Sequence, residues 1–296
     1  AARGIEQQQQ LEEIVPGRHG RLDDEDVRPA DVLLHLQVDL AVAEVLDPDV
    51  SYFVLYSPAP ADGVNVGHIA RSLPTDVRKD GLSPSVKAWD FATIALSVAA
   101  ADKAILRNES ADGWTRMIEL NIYLRQPSVW NSRRAEMESL LRFLTGDFWA
   151  LRFHSGGPKP PKAKQPQKTD ADCVCLLSGG IDSLVGAINL TSGGKKPLFV
   201  SQIVRGDGGT QRNYAAELGG ENRHCQWSFA VKFSGVSEKS TRGRSIVFFA
   251  FAVLAASAIQ ATKDRPVEIV VPENGFISLN IPLGPGRLGS LSTKTT

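Results

Sequence analysis

Apolar and polar positions along the chain fall into two rhythms. Val32–Val38, Ser51–Tyr56, Met117–Leu124 and Asp147–Phe153 are short apolar or alternating runs and predict strands. Between them, Ser83-Pro84-Ser85 opens a stretch with Trp89, Phe91, Ile94, Ala95, Val98 and Ala101 at helical spacing. Met137, Leu140, Leu141 and Leu144 form a second helical stripe, closed by Thr145-Gly146. This mixture predicts an α+β region over residues 31–154. It holds no evident catalytic constellation, and His35, His68 and His154 stand apart from one another as structural or exposed residues.

The rhythm changes after Cys173. Val174–Leu177, Pro197–Val204, Cys225–Val231 and Val267–Val271 read as strands. They alternate with helices after Gly180, over Gln211–Leu218, and after Ser240-Thr241. That alternation predicts a parallel sheet wound on both faces. The expected fold class is α/β, a doubly wound, mostly parallel sheet with an additional N-terminal α+β domain. Residues 1–30 carry the Gln7–Gln10 run and the acidic Asp23–Asp26 cluster and read as a polar tail or arm. Residues 155–170 hold four prolines and four lysines and read as a linker. The expected domains are therefore 31–154 and 171–296.

Composition narrows the class. At 42% hydrophobic and 22% charged, the 296 residues suit a globular chain of about two domains. No apolar run reaches the roughly 18 residues of a membrane span, and no signal peptide is visible. Three cysteines argue against a disulfide framework and fit a reducing cytoplasm. The net charge is zero, but residues 1–150 hold 15 basic and 23 acidic residues, whereas 151–296 hold 18 and 10. The basic half suits a polyphosphate ligand. No aromatic-rich basic patch supports nucleic acid as a partner.

The basic half contains Ser178-Gly179-Gly180-Ile181-Asp182-Ser183, set between strand Val174–Leu177 and the helical run Leu184–Ile188. Adjacent glycines let backbone approach a ligand, and the following helix aims free N–H groups at the turn. No lysine follows as in a Walker A loop, and G-x-G-x-x-G spacing is absent. The backbone from Gly179 to Asp182 would hold phosphates, with Ser178 and Ser183 adding hydroxyls and Asp182 holding Mg²⁺. The plain alternative is a tight turn capped by Asp182 or Ser183. Arg242 and Arg244 open the long apolar helix, where a cation is unfavourable unless an anion is shared. The same argument extends to Arg287 and Lys294. Ligands of such sheets sit at the carboxyl ends of strands, which also selects Arg205-Gly206-Asp207 and Glu273-Asn274. Glu273 and Asn274 suit a purine-like heterocycle, or an Asn-Gly turn. Cys173 and Cys175 share a strand face without a second pair to complete a zinc site, and Cys225 reads as core.

Ser178–Ser183, Thr241–Ala250 and Val271–Gly275 together resemble the PP-loop ATP pyrophosphatases, in particular the QueC-like (7-cyano-7-deazaguanine synthase-like) family. Over residues 171–296 the resemblance implies adenylation of a deazaguanine-type carboxylate, with ATP and Mg²⁺ as cofactors and AMP and pyrophosphate as products. The chain departs from housekeeping members, which carry a cysteine-rich zinc site near the C-terminus and no domain like 31–154. With Trp89-Asp90, Leu144–Trp149 and Arg287–Thr296, it is more similar to the QueC-like proteins of bacterial anti-phage operons, the QatC group. That implies a partner protein from the same operon, which the enzyme would modify. The chain ends inside a motif that reads as unfinished, so further C-terminal residues are expected. Two other functions remain open on sequence: a tRNA-modifying PP-loop enzyme, and a non-catalytic nucleotide-binding scaffold in a defence complex.

Overall fold

The computed structural model describes residues 33–36, 50–58, 66–166, 169–203, 206–260 and 266–272. Among them, one sheet contains β1 (Leu33–Leu36), β2 (Val50–Leu55), β3 (Val66–Ile69), β4 (Met117–Leu124), β5 (Phe148–Ser155) and β9 (Val231–Lys232). Its order is β5-β4-β1-β2-β3-β9. All neighbours are parallel except β9, which runs antiparallel to β3. The α+β expectation for 31–154 is thus corrected to α/β. Parallel neighbours need a crossover, and for β4 and β5 helices supply it. The path from β3 to β4 passes through α1 (Leu73–Lys79) and α2 (Val86–Ala104), and that from β4 to β5 through α3 (Pro127–Asn131) and α4 (Arg134–Thr145).

The second sheet contains β6 (Cys173–Leu176), β7 (Pro197–Gln202), β8 (His224–Trp227) and β10 (Glu268–Val270), in the order β10-β6-β7-β8 and parallel throughout. Alternation along β6 feeds two cores. Cys175 and Leu177 pack with Ala187 of α5 (Ile181–Ser192), Phe199 and Ala215 of α6 (Gly208–Glu217). Val174 and Leu176 join a larger core with Leu198, Val200 and α7 (Arg244–Gln260). Helices therefore cover both faces.

Two helices join the sheets. α2 packs on β2 and β4, α7 packs on β6, β7 and β10, and the two helices pack against each other. The layers run sheet, helix, helix, sheet, with α5 and α6 on the far face of the second sheet, and one core extends from Phe53 to Ile259. α2 is buried on nearly every side, which is why its sequence shows no strong amphipathic stripe. Ser85 caps α2 by accepting the Ala88 N–H at 3.2 Å, while its own N–H donates to Ser257 Oγ of α7 at 3.2 Å.

The expected strand Cys225–Val231 is in fact two. β8 ends at Trp227, the chain turns through Ser228–Ala230, and β9 joins the other sheet beside β3. Phe233 then stacks on Phe53 with ring centroids 5.3 Å apart. β3, α1 and α3 are elements that the sequence pattern did not single out. They are short, and α1 and α3 begin at or beside a proline.

The segment expected as a linker is fastened in its described part. Gly157 N–H donates to Leu124 O at 3.1 Å, and Ala163 N–H to Ser83 Oγ at 3.0 Å. A Cβ at Gly157 would collide with backbone atoms of Tyr123 and Leu124, which no rotamer change relieves. Gly157→Ala is expected to cost about 1–3 kcal/mol through forced backbone movement. Thermal unfolding would show this as a melting temperature lower by several degrees.

Candidate functional site

β6 stops at Leu176, and the chain turns through Ser178–Gly180 into α5. Gly179 adopts φ +88°, a left-handed conformation that favours glycine. Gly180 is the N-cap and offers no side chain, so the first-turn amides of α5 have no side-chain cap. This disfavours the alternative of a turn capped by Asp182 or Ser183. Ser183 Oγ instead donates to Gly180 O at 2.8 Å and lies 3.0 Å from Ser178 Oγ, which donates to it. Both hydroxyl protons are committed inside the loop, and Ser178 Oγ also accepts the Gly180 N–H at 3.3 Å, so the outward donors are the first-turn amides of α5.

A residue the sequence reading passed over holds this loop from behind. Gln211 of α6 is fully buried, and its Nε2 donates to Ser178 O at 3.1 Å and to Gln202 O at 2.9 Å. Its Oε1 accepts from Gln226 Nε2 at 3.0 Å. A glutamine in a short polar helix carries no signal in sequence. Only the approach of α6 to the turn gives it a role.

The loop forms one wall of a cleft of about 390 Å³. Ser178, Gly180, Asp182 and Ser183 face Thr241, Arg242, Arg244 and Ser245 across it. Phe248 and Phe249 of α7, with Val271 and Pro272 after β10, supply apolar surface. The cleft lies beyond the carboxyl ends of β6 and β10. From β6 the chain proceeds to β7 on one side, whereas β10 adds on the other, and ligands of parallel sheets bind at such a reversal.

The arginine wall is positioned from the other half of the chain. Asp102, near the end of α2, accepts the Arg242 and Gly243 N–H groups on Oδ2, at 2.7 and 2.6 Å. The anion expected at this helix start, against the alternative of two solvated arginines, is thus partly internal: a carboxylate caps α7 from a neighbouring helix. Asp102 Oδ1 in turn meets Arg116 Nη2 at 2.5 Å. Arg116 also reaches Asp147 Oδ2 at 2.6 Å, and Arg107 pairs with the same carboxylate through two bonds of 2.8 and 2.9 Å. All four residues are at most 3% exposed. Burial opposes ionisation of Asp147, but the hydrogen bond and charge of Arg116 outweigh it and hold its carboxyl below the ordinary value.

Arg242 itself lies over the Trp114 ring, its guanidinium carbon 4.9 Å from the centroid. Burial, followed by the charge of nearby Arg107, disfavours its cation and lowers its pKa. An arginine keeps its proton at any working pH, so an anion in the cleft would relieve that unfavourable setting. Arg244 is exposed and free to meet such an anion.

The structure thus brings together Ser178, Gly180, Asp182, Ser183, Arg242 and Arg244. Gly179 shapes the turn, and Ile181 is 73% exposed, so only its backbone fits the expected role. Glu273, Asn274, Arg287, Lys294 and Arg205 lie outside the described residues. No group of three His, Cys, Asp or Glu that could hold a metal is found among the described residues. A Mg²⁺ ion here would lean on the phosphates it accompanies, with Asp182 as the carboxylate at hand. Cys173, Cys175 and Cys225 are unpaired and buried, and burial pushes the Cys173 and Cys175 thiols up to about 12. Burial and the charge of Asp80 likewise push the Cys225 thiol well above its ordinary value, so none of the three is an activated nucleophile. No helix among the described residues is long and apolar enough to cross a membrane. Comparison with protein families, with curated proteins and with solved structures returns no match.

Two stability measurements follow. Asp102→Ala leaves buried Arg116 short of a partner and two amides without an acceptor, and is expected to cost about 3–5 kcal/mol in urea unfolding. Asp102→Asn, whose amide oxygen can still accept, is expected to lose less. His224, whose Nε2 lies 2.8 Å from Ser201 Oγ, is pushed down to about 4 by burial and then by the charge of Arg212. The unfolded chain binds this proton below about pH 6.5 and the folded protein does not until about pH 4. Stability should therefore fall on acidification between those values, and His224→Gln should flatten that part of the profile.

Proposed function

We propose that the chain is a QueC-like ATP pyrophosphatase that adenylates the carboxylate of a deazaguanine-type substrate. The observation that carries this reading is the convergence, at one reversal of strand order, of an uncapped glycine turn and two arginines on opposite walls of a cleft. ATP supplies an α-phosphorus open to a carboxylate oxygen, with pyrophosphate leaving and AMP remaining on the carboxyl. The N–H groups at the start of α5 would bind the β- and γ-phosphates, and Asp182 would hold their Mg²⁺. Arg242 and Arg244, on the facing wall, would stabilise the negative charge that builds between the α-phosphate and the leaving pyrophosphate. Phe248 and Phe249 give the nucleotide apolar surface.

On this reading the second sheet is a doubly wound PP-loop fold, and 31–154 is the added domain of the anti-phage group. The family resemblance supplies the setting: a bacterial defence operon and a partner protein whose amine would displace AMP from the activated carboxyl. The basic balance of residues 151–296 supports a polyphosphate ligand but does not distinguish it from tRNA.

The test is to incubate the protein with ATP, Mg²⁺, 7-carboxy-7-deazaguanine and an ammonium salt, whose ammonia takes the acyl group and releases AMP, and to resolve AMP and pyrophosphate from ADP and phosphate. Base-dependent AMP with equal pyrophosphate is expected, and its formation should stop when Mg²⁺ is chelated. Arg242→Ala and Arg244→Ala should each lower the rate by about 10²–10³-fold, the scale for losing one preorganised charge partner of a transition state. ADP as the product would replace this reading with phosphoryl transfer, and ATP binding without turnover would favour the scaffold.

A further inference from the structure

A second cavity adjoins the cleft and has a different character. It measures about 250 Å³ and lies between α2 and the entry to α7. Thr241 and Arg244 line both spaces, so the two meet at these residues. Away from that seam the walls are Ala99 of α2 with Phe229 and Val231, the residues that carry the chain from β8 into β9. Two cations face the cavity, Arg244 and Lys103, the latter near the end of α2. The carboxylate that also lines it, Asp102, has both oxygens engaged by Arg116 and by the Arg242 and Gly243 amides. Glu238, close by, is likewise consumed by the amides of Arg107, Lys239 and Ser240. The field inside the cavity is therefore set by two cations without a carboxylate partner among the described residues, over an apolar floor.

We infer that this cavity is the subsite for the second reactant, a small organic acid, and that Lys103 binds and orients its anionic group. The inference rests on the nucleotide reading of the neighbouring cleft. The cavity is smaller than the roughly 300 Å³ at which drug-sized ligand pockets begin. It suits a compact acid with a one- or two-ring body and is too small for a nucleotide. The body lies against Phe229 and Val231 and the acid group faces the seam, between Lys103 and Arg244. A carboxylate held there borders the space assigned to the nucleotide. Arg244 serves both reactants, whereas Lys103 serves the acid alone. This assigns the N-terminal half a direct part in substrate selection, because Lys103, Ala99 and Asp102 all belong to α2.

Separate calorimetric titrations with 7-carboxy-7-deazaguanine, indole-3-carboxylate, the neutral indole-3-carboxamide and ATP test the assignment on the full chain. At least one of the two acids is expected to bind, and the amide at least tenfold more weakly than its acid. Lys103→Ala should weaken acid binding about tenfold, Lys103→Glu further, and Lys103→Arg should restore most of it, with ATP affinity unchanged throughout. Lys103 is half-exposed, and unchanged melting temperatures would show the variants folded. Absence of acid binding, acid binding indifferent to Lys103→Ala, or a parallel loss of ATP affinity would overturn the subsite. Failure of ATP to bind while the acids bind in a Lys103-dependent way would remove the nucleotide reading and leave the acid site standing.

Discussion

One carboxylate, Asp102, joins the two halves of this protein where its chemistry would occur. On one side it neutralises Arg116 inside a buried group of two aspartates and two arginines. On the other it accepts the amides that begin α7. Buried ion pairs seldom add net stability over apolar packing, because desolvating the charges costs about as much as their attraction returns. Geometry is what such a group provides. It fixes the end of α2 against the start of α7, and so fixes where Arg242 and Arg244 stand relative to the glycine turn.

The glycine turn is held by a comparable device of neutral groups. Ser178, Ser183 and Gly180 bond among themselves, and Gln211 grips the loop from α6. Thus each wall of the cleft is rigid for its own reason, one through buried charge and one through a closed hydrogen-bond set. Preorganised donors need no rearrangement when charge develops, which is the condition under which electrostatic stabilisation is strongest.

Much of this was legible in sequence. Strands β4 and β6 and helix α4 announce themselves by period, helix α2 by its Ser83-Pro84-Ser85 start, and the turn at Ser178–Ser183 by its glycines. The αL closure of α4 at Gly146, φ +79°, is of this kind. What stayed hidden depends on residues distant in the chain. The sequence separation of 140 between Asp102 and Arg242 gives no local hint that one caps the other's helix. The parallel order of the first sheet lies in pairings between strands distant in the chain, and each run taken alone fits α+β equally well. The continuous reading of Cys225–Val231 failed because both pieces are strand-like. Only their partners, β7 and β3, separate them.

The edge strand β9 sets a condition on biosynthesis. β3 is complete about 160 residues before Val231 is added to the growing chain. At translation rates of about 5–20 residues per second, the β3 edge waits on the order of ten to thirty seconds without its closing strand. An open edge is a template for foreign strands. β3 is only four residues long, and Lys232 of β9 pairs with His68 within it. A short edge limits what can adhere during that interval, and the β3 edge is covered only once the chain beyond β8 has emerged.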